Sequence, residues 1–261
     1  MKFIRKILVK LFGLKGYLKI VSKIYIKFIR LGFYKEKYAE LHFTKEIVKP
    51  DSVVIDIGSN LGYYATLIGK TVRNEGKLIG VEPIPLFAEI WKSNMKSISS
   101  PNIILEQCAL GSEPQDEVKM SIPIVDGVVR HGLTKIDSSE NTHESMQSYT
   151  VQMRVGDEIV TSNNLQKIDY IKCDVEGYEQ YVIPSLKSSI EKFKPLFQIE
   201  LGGKENRQKV VEFLGNLGYE KFILSNGKLN RFPEENLFKL NQDFYFVHSS
   251  KMENWQHLIK N

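Results

Sequence analysis

The run Asp56-Ile-Gly-Ser-Asn-Leu-Gly62 follows directly on an apolar, β-branched stretch at residues 52–57 and precedes a helical pattern from Tyr63. A strand that empties into a glycine turn and then a helix brings backbone amides close to a ligand. Gly58 permits the sharp turn, and Ser59 or Asn60 is expected to cap the helix, whose amide-rich end favours a carboxylate or another anion. Asp56, at the end of a buried strand, needs a partner such as a ligand amine or backbone donors. A nicotinamide or flavin site would want Gly-x-Gly-x-x-Gly around a diphosphate, and only Gly58 and Gly62 are present, which excludes that class. Glu82 lies 24 residues after Gly58 at the end of a second apolar run. Doubly wound nucleoside-binding proteins keep a carboxylate there for the two ribose hydroxyls.

The elements that must position these groups alternate. Strands are expected at 52–57, 77–82, 102–106, 168–173, 195–201, 219–224 and 244–248, with helices at 63–72, 86–98, 177–189 and 205–217, the last closed by Gly218. The alternation predicts an α/β fold, a doubly wound and mostly parallel seven-stranded sheet with its site at the carboxyl ends of the strands. One region departs from it. Residues 118–125 and 148–155 read as an inserted β-hairpin within an insert at about 112–160, its polar tip at 126–147.

Length and composition fit one large domain with an appendage: 261 residues, 42% hydrophobic and 26% charged. The charge is uneven. Residues 1–31 carry nine Lys or Arg and no acid, and the remaining 230 residues carry 27 basic against 31 acidic side chains. The main domain therefore lacks the basic footprint of a nucleic-acid binder. In the arm, apolar residues recur at three- and four-residue steps, and lysines interrupt them too often for a spanning helix or a signal-peptide core. Such a basic amphipathic helix lies on an anionic membrane surface or docks on the domain with a solvated lysine face. The organisation expected is an arm at 1–35, a domain at 36–250 and a tail at 251–261. Cys108 and Cys173 stand far apart, as reduced thiols of a cytoplasmic protein, peripheral to the membrane if the arm attaches there.

Four strings in order carry a resemblance: Val54-Ile-Asp-Ile-Gly-Ser-Asn-Leu-Gly-Tyr-Tyr64, Gly80-Val-Glu-Pro83, Cys108-Ala-Leu-Gly111 and Ile168-Asp-Tyr-Ile-Lys-Cys-Asp-Val-Glu-Gly-Tyr-Glu179. Together they resemble the FkbM family of S-adenosylmethionine-dependent methyltransferases over about residues 50–203. The Lys-x-Asp-x-Glu-Gly-x-Glu string is the discriminating one. The resemblance implies that Asp56, Gly58, Ser59, Asn60 and Gly62 hold the methionine end of S-adenosylmethionine, that Glu82 with Pro83 takes the ribose, and that Cys108 and Ala109 flank the adenine. It places Asp174 and Glu176 beside the methyl group. The family's Leu-Asp-Asp-like string is replaced by Val155-Gly-Asp-Glu158, which leaves Asp157 without an assigned role.

Methyl transfer to an aliphatic hydroxyl needs alignment and a group to take the proton. Asp174 and Glu176 are the first candidates, Glu200 and His131 the reserves; Glu176 has the alternative of anchoring the turn at Gly177. Two hard oxygen ligands without a third make no metal site. The expected activity is O-methylation of a sugar or glycan hydroxyl, carried on a lipid or free. A lipid or polyketide-type hydroxyl, and a non-catalytic cofactor-binding scaffold, are the alternatives.

Overall fold

A computed structural model describes residues 2–33, 35–98, 102–125, 128–129, 135–136, 146–231, 238, 240 and 242–260. The chain opens with α1 (Lys2–Arg30), kinked at Gly13, and α2 (Ala39–Ile47). The alternating part begins β1 (Val53–Ile57), α3 (Tyr63–Thr71), β2 (Lys77–Val81), α4 (Pro85–Met95), β3 (Ile103–Glu106). The insert holds β4 (Ala109–Gly111), β5 (Gln115–Val125), β6 (Val128–Val129), β7 (Lys135–Ile136) and β8 (Met146–Val155), and α5 (Gly156–Ser162) follows it. Then come β9 (Tyr170–Cys173), α6 (Glu179–Val182), α7 (Lys187–Phe193), β10 (Leu196–Ile199), α8 (Lys204–Asn216), β11 (Tyr219–Ser225), β12 (Lys228–Arg231), β13 (Phe244–His248) and α9 (Met252–Trp255).

The main sheet runs β12-β11-β13-β10-β9-β1-β2-β3, with β1, β2, β3, β9 and β10 parallel to their neighbours in that set and β13 antiparallel to β10 and β11. It is the doubly wound, mostly parallel sheet that the alternation predicts, with eight strands in place of seven. The extra one is β12, joined to β11 by Asn226-Gly227, both at positive φ (52° and 72°). That Asn-Gly pair is the signature of a two-residue hairpin. β1, β9 and β10 are buried along their whole length, as strands covered on both faces must be. The helix expected over 177–189 is instead α6, a 3-10 turn at Pro184–Leu186 and α7. Pro184 lacks the amide that would continue the first segment. Asp157 accepts the Ser188 and Ser189 amides at 3.0 Å each, so it holds the first turn of α7 and has a structural role.

The inserted hairpin pairs β5 with β8 in antiparallel register from Val118↔Val151 to Pro123↔Met146, and β4 joins β8 in parallel. Most of its tip, His131 included, lies outside the described residues. The body of the hairpin is not an excursion from the core. Val118, Met120, Ile122, Val151 and Met153 form one buried cluster with Phe87 and Ile90 of α4 and Tyr17 and Leu18 of α1.

The arm docks on the domain through one face of α1. Leu18, Ser22, Ile26 and Ile29 are buried. Ser22 Oγ accepts from Asn94 Nδ2 at 3.0 Å, and Lys15 pairs with Glu89. At the other terminus Leu258 is buried and the Lys260 amide donates to the Leu229 carbonyl at 2.9 Å. Two truncations measure how firmly the arm is held. Leu18→Ala should lower unfolding stability by about 2–5 kcal/mol, because a core leucine leaves a cavity. Ile24→Ala, on the exposed side of the same helix, should change it by less than about 0.5 kcal/mol. Denaturant titration of both variants against the full chain decides the matter, and equal effects would mean the arm is not docked in solution.

Candidate active site

Sheet register gathers the site. Asp56 on β1 pairs with Lys172 on β9, Lys172 with Gln198 on β10, and Gln198 with Tyr245 on β13, so these four residues form one row across the sheet. Side chains alternate with period two, so Gly58, Asp174, Glu200 and Asp243 form the next row on the same face, just past the strand ends. A buried polar row therefore supports an open acidic one.

Lys172 is the buried cation of the lower row. Its Nζ donates to Asp174 Oδ2 at 2.8 Å and stands 4.7 Å from the centre of the Tyr64 ring. Burial works against its charge, but Asp174 and Asp56 outweigh it and hold the ammonium above its ordinary pKa. Gln198 accepts from Tyr170 Oη at 2.5 Å and donates to Asp243 Oδ2 at 2.6 Å and to Tyr64 Oη at 3.0 Å. Tyr245 Oη donates to Glu40 Oε2 at 2.6 Å, which draws α2 into the site.

The glycine turn is held by backbone and not by caps. Gly58 has φ 74°, and a Cβ there would lie 1.8 Å from the Asp174 carbonyl oxygen, so only glycine lets β1 and β9 end side by side. Gly62 begins α3 at φ 83° with no side-chain cap. The expected capping by Ser59 or Asn60 is absent because the cap position falls on Gly62, past both residues. Ser59 Oγ donates to Asp56 Oδ2 at 2.5 Å and accepts from Trp91 Nε1 at 2.8 Å. The Asn60 amide donates to Glu82 Oε2, and the Ile84 amide to Glu82 Oε1, both at 2.8 Å.

After β9 the chain turns through Glu176 (φ 54°) and Gly177 (φ 93°). Glu179 anchors this turn. Its Oε1 accepts the Val175 amide at 2.9 Å and the Gly177 amide at 3.3 Å, and its Oε2 accepts from Asn206 Nδ2 at 2.6 Å. Glu176 is left at the rim of a cavity.

Two large cavities meet over the acidic row. The first, about 590 Å³, runs past Gly58, Val81, Pro83, Cys108 and Ala109 to Glu176 and Gly202. The second, about 710 Å³, is walled by α1 and by Tyr38, Tyr63 and Tyr64, with Glu40, Asp56, Asp174 and Asp243 among its carboxylates. Gly58 and Glu200 border both. A third, about 480 Å³, continues from Glu40, Glu200 and Asp243 toward Arg207 and Asn226. Of the residues read from sequence, Gly58, Pro83, Cys108 and Ala109 share the first cavity with Glu176. Asp56, Gly58, Ser59, Asn60 and Asp174 border the second, and Glu82 and Gly62 support the turn from beneath. Lys172, Glu40, Asp243 and the tyrosines were not singled out in the sequence. Lys172 carries a signal there, two residues before Asp174 on one face of a strand, whereas Glu40 and Asp243 come from distant segments without a motif.

The residues present fit S-adenosylmethionine. Glu82 is buried with only amide donors, so two hydroxyls would complete its shell, and Asp56 Oδ1 accepts no hydrogen bond. Cys108 and Ala109 are buried apolar walls suited to an aromatic base. Among the described residues no three His, Cys, Asp or Glu side chains converge as a metal site.

The carboxylates carry the cost of this crowding. Burial pushes Glu40 and Glu82 up to about 7. Glu200 is exposed as a residue because cavities open on it, yet its carboxyl is crowded enough that burial, with Asp174 and Asp243, pushes it up to about 8. In the unfolded chain these groups ionise at the ordinary 4.5. Between that value and about 8 these three groups hold more protons in the folded state than in the unfolded one, so their contribution to stability falls as pH rises. Thermal or denaturant unfolding of the ligand-free protein should show this decline, and Glu82→Gln and Glu200→Gln should each flatten it. A stability that rises over that interval would contradict the reading.

Residues 56–221 match the profile described as Methyltransferase FkbM domain, which spans more than half of the chain. Methyltransferase 1 of Beauveria bassiana is 24% identical over 181 residues, 65% of this chain and 71% of that protein. Protein-L-isoaspartate O-methyltransferase 1 of Archaeoglobus fulgidus is 36% identical over 63 residues, 23% of this chain and 29% of that protein. Among solved structures, a methyltransferase FkbM from Methylobacillus flagellatus aligns with a TM-score of 0.49 at 15% identity, covering 76% of this chain and 44% of its own. The chain thus spans under half the length of that protein. Of these, the profile match over residues 56–221 is the finding that decides: the chain belongs to the FkbM methyltransferase family, and it is an S-adenosylmethionine-dependent methyltransferase.

Proposed function

We propose that the protein methylates a hydroxyl group of a sugar or glycan, with Glu200 taking the proton. The observation that carries this reading is that Gly58 and Glu200 border both large cavities. S-adenosylmethionine, when bound, supplies a methyl group on a sulfonium. The first cavity suits its adenosine, with Glu82 accepting from the ribose hydroxyls, and the turn through Gly58 leads its methionine end toward Asp56 and Ser59. The second cavity then receives the acceptor. Tyr38, Tyr63 and Tyr64 offer flat, amphipathic walls, and Glu40, Asp174, Glu200 and Asp243 offer hydrogen-bond acceptors. A polyhydroxylated ring is complementary to that lining, with carboxylates for its hydroxyls and flat rings for its faces.

The division of labour among the carboxylates follows from their partners. Asp174 Oδ2 is committed to the Lys172 ammonium, so Asp174 serves to fix the strand end and orient the acceptor. Glu200 is open to both cavities and has a pKa raised to about 8, near the working pH that suits a general base. Lys172 fixes the row that holds both. Glu176, on the turn held by Glu179, faces the first cavity and is left to ligand positioning.

Two outcomes test the assignment. Glu82→Ala should weaken binding of S-adenosylhomocysteine about ten- to hundredfold, the equivalent of about 1–3 kcal/mol for hydroxyls left unpaired, as read by calorimetry. Glu200→Gln should cut turnover with glycan acceptors by about 10²–10⁴-fold with cofactor affinity nearly unchanged. In the wild type, turnover should rise with pH through about 8 as Glu200 ionises, and the variant should lose that rise. If Asp174→Asn loses the pH-dependent step and Glu200→Gln keeps it, the base is Asp174; if labelled methyl enters only apolar lipids, the acceptor class is wrong.

A further inference from the structure

The docked face of α1 accounts for only part of its apolar surface. Ile20, Ile24 and Phe28, with Leu31 and Phe33 just beyond the helix end, are between 36% and 63% exposed. At 100° per residue Ile20, Ile24 and Leu31 fall within about 40° of one another, opposite Leu18, Ser22 and Ile29. Lys19, Lys23 and Lys27 are exposed alongside them. The Phe28 and Phe33 rings meet edge-on with centroids 5.5 Å apart, which extends the stripe past the helix end. A soluble surface rarely keeps so many large apolar side chains in one line. The helix is thus apolar on two sides and cationic between them.

We propose that this outer face of α1 lies on an anionic membrane surface while the inner face stays docked. Charge decides the occupant. Residues 1–31 hold nine basic side chains and no acid, which complements a negative lipid headgroup layer and opposes self-association through the same face. Tyr17, Val21, Tyr25 and Ile29 of this helix line the second cavity, so one helix diameter, about 10 Å, separates that cavity from the bilayer. Membrane binding and a docked helix, which sequence periodicity sets against each other, become two faces of one element. The cavity is thereby presented to acceptors held at the membrane surface.

Co-sedimentation of the full chain with phosphatidylcholine vesicles, with and without phosphatidylserine, tests this at low and high salt. Binding should require phosphatidylserine, weaken with salt, and fall about tenfold or more in the double variant Ile24→Asp, Leu31→Asp. The thermal midpoint of that variant should match the wild type, because both residues are exposed. A milder pair, Ile24→Ser and Leu31→Ser, should show the same direction without added negative charge. No pelleting, or equal pelleting of wild type and variants, overturns the proposal. So does a lipid-free dimer, seen by sedimentation equilibrium and abolished by the same variants, which would make the face a contact between copies. Vesicle binding is read without cofactor or acceptor, so its failure leaves the hydroxyl chemistry standing, and the reverse holds as well.

Discussion

The ammonium of Lys172 is the charge on which the site is built. It stands in sheet register between Asp56 and Gln198, almost wholly buried, and its contact with Asp174 joins the lower polar row to the acidic row above. Four more carboxylates, those of Glu40, Asp56, Glu200 and Asp243, share the second cavity with Asp174. Burial with these like charges raises the pKa of Glu200 and Asp243, and removing the central cation would leave the buried Asp56 with the Ser59 hydroxyl but without that charge. The pairing that makes the sheet and the electrostatics that make the site are therefore the same contacts.

The raised carboxylates show what such a site costs its scaffold. Glu82 and Asp56 sit where burial disfavours their charge; two amides serve Glu82, and the nearby Lys172 ammonium with the Ser59 hydroxyl serves Asp56. A ligand carrying hydroxyls and an ammonium supplies donors that the protein withholds. Stability given up in the empty state is recovered on binding, which is how a preformed polar site favours its ligand.

The parts of this arrangement that sequence made legible are the local ones. The β-branched runs and the glycine turn at Gly58 mark the strand ends, and the Lys-x-Asp-x-Glu-Gly-x-Glu string marks the crossing of β9 into the site. Within that string the roles were less visible. Glu176 and Glu179 are both carboxylates near Gly177, and it is Glu179 that takes the Val175 and Gly177 amides. The Asn226-Gly227 hairpin was present as a signal and produced the eighth strand. Glu40 and Asp243 had no such signal, because residues separated by about two hundred positions meet only when α2 packs against β13 through the Tyr245 hydroxyl.

The arm shows why amphipathic periodicity alone cannot settle what a helix does. Its pattern is satisfied by either apolar face, and the choice is made by Asn94 on α4. The Asn94 amide donates both to Ser22 Oγ at 3.0 Å and to the Leu61 carbonyl at 2.8 Å. Leu61 lies in the glycine turn between Asn60 and Gly62, so one side chain fixes the arm and the cofactor turn at once. Ser22 is a polar residue on the docked face, and it fits there because that amide waits for it; at the same depth an apolar residue would leave one Asn94 donor unpaired in the core. The position of α1, and with it one wall of the second cavity, is thereby tied to the turn that presents Gly58. The glycine turn, one wall of the second cavity and the docked face of α1 thus meet at one buried hydrogen-bond junction.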